Sequence, residues 1–413
     1  MQRNFNKALN LKDFLEDFRV SGASGCKSAH AGFERWQQPC EWSRLVVRNR
    51  GGRSMPRLSI VVTSYNIEAF IGECLADICG QTLDDIEIIV VDDGSSDGTA
   101  GKIAEFASCD DRIVPVLLQE NTIGGVATAA NAGIEQARGA YIGFADGDDR
   151  YEPEMFAKLL AAAEAHDADL AMCSYLNWDA VTGQTAMPPD EERWNELAPL
   201  SVLELDAAGR HRLLPLNAVP WRKIYRAALL QEQGLRFPVG DFFFEDNPFH
   251  WFNTLSANRV AFVDERLCRH RVNRIGQTTA TVDSKLLKMF RHHGIIKRWL
   301  EENGQDTEFS GDLLSWASRQ LSWIGRKCPT ELRRELFEAV QAVVALHAEE
   351  ELGSPQTRAA IGKRTANLLL AARNGDFDAF CRDLDRAAAR APRRRSADAS
   401  TGIMGRMRRI LAR

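Results

Sequence analysis

Carboxylates gather at three points of the chain, and their settings suggest chemistry. Asp92-Asp93-Gly94-Ser95-Ser96-Asp97-Gly98 follows one β-branched run, Asp146-Gly147-Asp148-Asp149 ends another apolar run, and Glu245-Asp246 lies among Phe242, Phe243, Phe244 and Phe249. Asp146, Asp148 and Asp149 offer hard oxygen ligands, which suit Mn2+ or Mg2+ and not zinc. Such ions keep waters and bind through one or two carboxylates plus substrate phosphates. The chain has neither a Gly-x-x-x-x-Gly-Lys-Ser/Thr loop nor a Gly-x-Gly-x-x-Gly after a strand, so a nucleotide diphosphate would be held through the metal. Glu245 and Asp246, set among aromatic rings, have the surroundings that raise a carboxylate's pKa and make it a better base. The plainer alternative is a turn or helix cap before Pro248.

The elements that must position these groups follow a regular order. Leu58-Ser59-Ile60-Val61-Val62-Thr63 predicts a strand buried on both faces, and Ile67 to Cys79 predicts a helix that Gly80 ends. Strand Ile86 to Val91, helix Ala100 to Ala107, strand Ile113 to Leu118, helix Gly125 to Ala137 and strand Ala140 to Ala145 continue the alternation. Strands alternating with helices imply an α/β domain with a parallel sheet covered on both faces. Such sheets bind ligands at the carboxyl edge of their strands. Three of the first four strands end there in polar clusters: Thr63-Ser64-Tyr65-Asn66, the Asp92 cluster and the Asp146 cluster. Each also reads as an ordinary turn or cap, but several carboxylates at one edge repel each other unless a cation or donor is present. Before these elements, residues 1–55 read as an N-terminal extension and linker. After them, residues 284–390 read as helical, with Trp299, Trp316 and Trp323 either in the core or along an acceptor groove.

Composition narrows the classes. Forty-five percent hydrophobic and 26% charged content describe a globular chain, and a net charge of −5 excludes wholesale coating of nucleic acid. Nine dispersed cysteines without a Cys-x-x-Cys pair support neither a disulfide framework nor a thiolate zinc site, which fits a reducing cytoplasm. No apolar run reaches membrane-spanning length. From Ala387 to Arg413 eight arginines face one acid, a local +7 that leaves −12 on the remainder. Residues 391–413 read as a basic amphipathic tail suited to an anionic membrane surface, or as a solvated disordered one.

Leu58 to Asn66, Ile89 to Thr99, Ala130-Asn131-Ala132-Gly133 and Phe144 to Asp149, in this order, resemble the nucleotide-binding half of family 2 glycosyltransferases. The resemblance is strong over 57–180 and continues to about 280, departing at Ala130, where many members carry Arg. It implies a GT-A fold, a Rossmann-like nucleotide-binding sheet with a mainly helical C-terminal region, and a catalytic domain over 56–283. The nucleotide-binding half would span 57–150 and the acceptor half 151–283. It implies that Thr63, Tyr65 and Asn66 lie at the nucleotide, that Asp93 accepts from a uracil-like ring, and that Asp146 and Asp148 form the Asp-x-Asp motif. In that motif Asp148 is the direct ligand of Mn2+ or Mg2+, and Asp146 the ribose or metal contact. Similar proteins carry a Glu-Asp pair whose Asp deprotonates the acceptor, which assigns Asp246 as base with Glu245 the second choice.

His270 to Thr279 follows a strand expected from Arg259 to Val263 and resembles the stretch that closes over the nucleotide, with Arg271 or Arg274 suited to the diphosphate and His270 either a metal or phosphate contact or a structural residue. One base plus one metal suits displacement at C1 with inversion. A glycosidase needs two carboxylates on opposite sides of the scissile bond, and neighbouring residues cannot both face it. The implied activity is transfer of a sugar, UDP-linked in this reading, to a hydroxyl of a glycan or lipid-linked glycan, by a cytoplasmic enzyme at the inner face of the membrane. The alternatives are a non-catalytic nucleotide-sugar-binding scaffold or a sugar nucleotidyltransferase. The latter would carry a Gly-rich loop with Arg and Lys where Thr63-Ser64-Tyr65-Asn66 stands.

Overall fold

The structure, a computed structural model, describes residues 55–274 and 283–389. The expected extension lies, except for Met55, outside the described residues, as do the tail at 391–413 and the 275–279 part of the His270–Thr279 stretch. Among the described residues one sheet contains β1 (Leu58–Ser64), β2 (Ile86–Asp92), β3 (Ile113–Leu117), β4 (Tyr141–Asp146), β5 (Arg150–Tyr151), β6 (Leu170–Asp179), β7 (Thr185–Ala186), β8 (Val202–Glu204), β9 (Lys223–Arg226) and β10 (Arg259–Val272). The order is β3-β2-β1-β4-β9-β6-β10-β5, with β7 on β6 and β8 on β10.

The first four strands pair in parallel. The sheet does not stay parallel. β4 and β6 are joined by a helical crossover and keep one direction, and β9 is inserted between them antiparallel to both. β9 returns through the long segment after β6 rather than through a β-helix-β unit, so nothing in its connection forces a parallel pairing. β10 runs on to Val272, beyond the expected Val263, through register shifts at Arg266 that carry Asp264 and Glu265 past the partner strand.

Seven helices matter to the site: α1 (Glu68–Cys79), α2 (Thr99–Cys109), α3 (Val126–Gln136), α4 (Met155–Ala165), α5 (Asp246–Ser256), α6 (Arg291–Glu302) and α7 (Asp306–Gly325). Side chains alternate across β1, so Leu58, Ile60 and Val62 share a core with α1, α2 and α4. Val61, with Ile89 and Val91, faces the opposite core, built with α3, α5 and the helices that continue to residue 389. That second core is continuous from the sheet into the helical region: Phe252 of α5 stacks on Trp299 of α6 at 5.1 Å. No helix among the described residues is long and apolar enough to cross a membrane.

Register sets the site. Thr63 lies beside Asp146 and Ser64 beside Asp92, so β1, β2 and β4 finish level at one edge.

Candidate functional site at the carboxyl edge

Of the carboxylates after β2, two are used in building the loop. Asp92 accepts from the backbone N–H of Ser95 at 2.9 Å and from the Ser64 hydroxyl at 3.2 Å. Asp97 accepts from the N–H and hydroxyl of Thr99 and from the N–H of Glu68 at the start of α1. Asn66, in the left-handed region at φ 49°, takes the N–H of Ser96 on its side-chain oxygen at 2.8 Å and so ties the β1 loop to the β2 loop. Thr63 is buried beside Asp146, its hydroxyl 3.5 Å from Asp146 Oδ1, while the Tyr65 ring is 45% exposed.

Asp93 is different. Its oxygens accept from Asn121 Nδ2 at 2.8 Å and from the Thr122 hydroxyl at 2.9 Å, and burial pushes its pKa up to about 6 against those bonds. Asn121 and Thr122 were not among the expected site residues. The signal was present, since Gln119-Glu120-Asn121-Thr122 follows β3 at the same edge. Gly94, at φ +67°, turns under this loop where a Cβ would stand 2.2 Å from the Glu120 carbonyl carbon.

At the end of β4 the three aspartates part. Asp149 is buried and joins two elements: Oδ1 accepts the N–H of Arg271 at 2.7 Å and Oδ2 meets His270 Nδ1 at 3.0 Å. Burial alone would lower the His270 pKa, but the charge and hydrogen bond of Asp149 raise it to about 9. His270, weighed in the sequence as a metal or phosphate contact, is thus occupied by Asp149 and stacks on Trp221 at 5.1 Å. Asp146 is held well above the usual carboxylate range by burial and by its neighbours Asp149 and Asp148. Asp148 accepts from Arg274 Nε through Oδ2, and its backbone oxygen accepts from Arg271 Nε at 2.7 Å. Arg271 also meets Glu73 at 2.8 Å and lies over the rings of Phe70 and Trp178.

Among the described residues no group of three or more His, Cys, Asp or Glu side chains could hold a metal unaided. Asp146 and Asp148 nevertheless suit a hard divalent ion: two carboxylates two residues apart, with a repulsion among Asp146, Asp148 and Asp149 that a cation relieves, and substrate phosphate and water as the usual remaining ligands of such ions.

The third group stands at the start of α5. Pro248 is tolerated there because first-turn N–H groups have no intrahelical partner. Glu245 and Asp246 point to different tasks. Glu245 Oε1 accepts the N–H of Ala127 at 3.1 Å, capping α3 from 118 residues away, and burial pushes its pKa up to about 8. Asp246 accepts from Asn247 Nδ2 at 3.0 Å and is half-buried; the low-dielectric surroundings raise its pKa to about 6, with Lys223 opposing. Its charge adds to the upward shift of Asp146, so the start of α5 lies within electrostatic range of the end of β4. Beneath lies Lys223, buried, with Nζ donating to Ala218 O at 3.0 Å and its pKa driven well down by burial. Asn131 clamps Phe237 through both backbone groups, at 2.8 and 3.0 Å, and a Cβ on Gly133 would meet Val61 at 2.2 Å. That motif therefore ties α3 to the segment leading into Asp246.

β1, β2 and β4 thus bring Asp92, Asp146 and Asp148 to one edge of a mixed sheet, and this part of the chain is similar to known proteins. The model for glycosyl transferase family 2 matches residues 59–212. The uncharacterized glycosyltransferase EpsJ of Bacillus subtilis is 38% identical over 220 residues, 53% of this chain and 62% of that protein. The glycosyltransferase GlyG of Streptococcus pneumoniae is 32% identical over 216 residues, 52% of this chain and 70% of that protein. The structure of Staphylococcus aureus TarS 1-349 in complex with UDP-GlcNAc superposes with a TM-score of 0.64 at 23% identity, covering 80% of this chain and 90% of that one. The chain belongs to the family 2 glycosyltransferases, and its fold is that of their GT-A domain with a helical C-terminal region.

Proposed function

We propose that the protein transfers a sugar from a UDP-linked donor to an acceptor hydroxyl with inversion at C1, Asp246 being the base. The observation that carries this reading is the division of roles at α5: Glu245 is spent on the N–H of Ala127, while Asp246 is half-buried, bonded to Asn247 and within electrostatic reach of Asp146. With a pKa near 6, Asp246 is ionised at neutral pH and still basic enough to take a proton. The acceptor O–H proton passes to Asp246, the acceptor oxygen bonds to C1 from the face opposite the diphosphate, and the C1–O bond breaks with its electron pair leaving on the diphosphate. Asp148, with Asp146, would hold Mn2+ or Mg2+, which supplies charge neutralisation to that leaving group. Asp93, Thr63, Tyr65 and Asn66 are assigned to the nucleoside side. Arg274, already against Asp148, and Arg271, which fixes the Asp148 backbone, are assigned to the diphosphate side.

That TarS is known with UDP-GlcNAc and with UDP supports a uridine donor here. Residues 56–283 are taken as the catalytic unit and 284–390 as a helical one. The acceptor is taken to be a glycan or lipid-linked glycan, reached at the inner face of the cytoplasmic membrane through the tail at 391–413. The test is a thermal-shift panel of UDP-, GDP- and dTDP-sugars with and without Mn2+. A metal-dependent shift confined to uridine donors, lost in Asp148→Ala, is expected. A UDP-sugar shift of equal size without metal and in Asp148→Ala would remove the metal assignment.

A further inference from the structure

We propose that the C-terminal helical region sets the position of Asp246 through Trp316 and Asn247, which act as positioning residues for the reaction. The inference rests on the reading of Asp246 as base.

The geometry is a chain of two side chains. Trp316 of α7 donates its indole N–H to Asn247 Oδ1 at 2.9 Å. Asn247 Nδ2 then donates to Asp246 Oδ1 and to Phe244 O, both at 3.0 Å. The two ends of an amide look alike in shape but not in chemistry. An indole N–H can only donate, so it requires the amide oxygen, and the amide nitrogen must then face the carboxylate. Without that N–H the amide oxygen loses its donor, and the side chain is held only by the two acceptors at Nδ2. Trp316 thereby anchors from the helical side the Asn247 rotamer that supports Asp246.

The same helices hold the loop that carries the base. Trp323 of α7 meets the Phe244 ring edge-on at 6.0 Å, and His292 of α6 binds the Phe243 carbonyl at 2.7 Å. Phe244 sits at φ +69°, a conformation costly to a residue with a Cβ and kept only where its surroundings over-determine it. Residues 243–247, the approach to α5 and its first two residues, are thus fixed from the helical side. Both Asp246 and its supports lie beyond residues 59–212, the part matched by the family model.

The experiment measures UDP release by the full-length protein and by Trp316→Phe, Asn247→Ala and Asp246→Asn. Its substrate is whichever of UDP-glucose, UDP-galactose, UDP-GlcNAc and UDP-GalNAc the unmodified protein turns over fastest. Loss of its bond to the charged Asp246 predicts that Asn247→Ala lowers kcat by about 10- to 100-fold, and loss of the neutral indole–amide bond predicts a fall of about 2- to 10-fold in Trp316→Phe. KM for the UDP-sugar should stay within about twofold, because the base acts only in the transition state. The acid limb of the kcat profile should rise by about one pH unit, since the lost donor favoured the ionised carboxylate. Lys223 from β9, whose charge lowers the Asp246 pKa, and Tyr225, Glu245 and Asp146, on which the Asp246 charge acts, are unaltered in these variants.

Unchanged kcat and an unmoved acid limb in both variants, with Asp246→Asn inactive, would overturn the inference alone. Full turnover by Asp246→Asn would overturn the base assignment and the inference with it. A loss of kcat that tracks thermal stability while the acid limb stays in place would show a merely structural role, also against the inference. If Trp316→Phe does not fold, Asn247→Ala, at a half-buried position in the first turn of α5, carries the test.

Discussion

His292 makes the stability of this fold sensitive to acid, and the size of the effect follows from its surroundings. The ring is fully buried, and Nε2 lies 2.7 Å from the Phe243 carbonyl. A carbonyl only accepts, so Nε2 carries the proton and Nδ1 is bare; Nδ1 has no partner in the interior. Protonating Nδ1 would create a charge and a donor with nowhere to bond. Burial accordingly lowers the His292 pKa from 6.5 to about 4, against the Phe243 bond. The neutral ring's contribution to stability is complete above pH 6.5 and is lost as the pH falls from there toward 4, because the unfolded chain takes up the proton first. The gap corresponds to about 3 kcal/mol over that window.

Urea unfolding followed by tryptophan fluorescence at pH 7.5 and 4.5 measures the loss. The comparison is His292→Gln, whose amide can still donate to Phe243 O but does not titrate. His250, His293 and His347 are also shifted down by burial, so both proteins lose stability in acid, and the difference between them isolates His292. The variant should lose about 2–3 kcal/mol less than the unmodified chain over this range. Equal losses would refute the assignment of a buried neutral His292.

Two more perturbations test the frame of the site. Gly94→Ala places a Cβ 2.2 Å from Glu120 at φ +67° and displaces Asn121 from Asp93; it should cost about 1–3 kcal/mol in urea unfolding and weaken UDP binding measured by calorimetry. Asp190→Ala removes the 2.6 Å partner of the wholly buried Arg222, whose Nε and Nη1 already lack acceptors, and should cost about 3–5 kcal/mol, part of it recovered in Asp190→Leu with Arg222→Met.

The first half of the fold was legible because β1, β2 and β4 are short apolar runs buried on both faces, and their ends fall within a residue or two of the expected ones. β9 was not, because its four residues begin with buried Lys223, directly after buried Arg222, and carry no strand period of their own. β10 was cut short because Asp264, Glu265 and Arg266 break its apolar pattern at an irregularity that only the partner strand reveals. At the site, the residue types at strand ends were visible in sequence, but the division of labour among neighbouring carboxylates was not. Glu245 reaches Ala127, Asn131 reaches Phe237 and Trp316 reaches Asn247 by bonds between distant parts of the chain, which leave no local spacing to read. Asn247 had one faint signal, its place directly after Glu245-Asp246.

The most direct test of the whole account is the turnover of Asp246→Asn set against its UDP affinity measured on the same preparation. The account predicts UDP binding within about twofold of the unmodified protein and sugar transfer reduced by about 10²- to 10⁴-fold, the span expected for loss of a general base. Transfer at the original rate with UDP binding intact would contradict it.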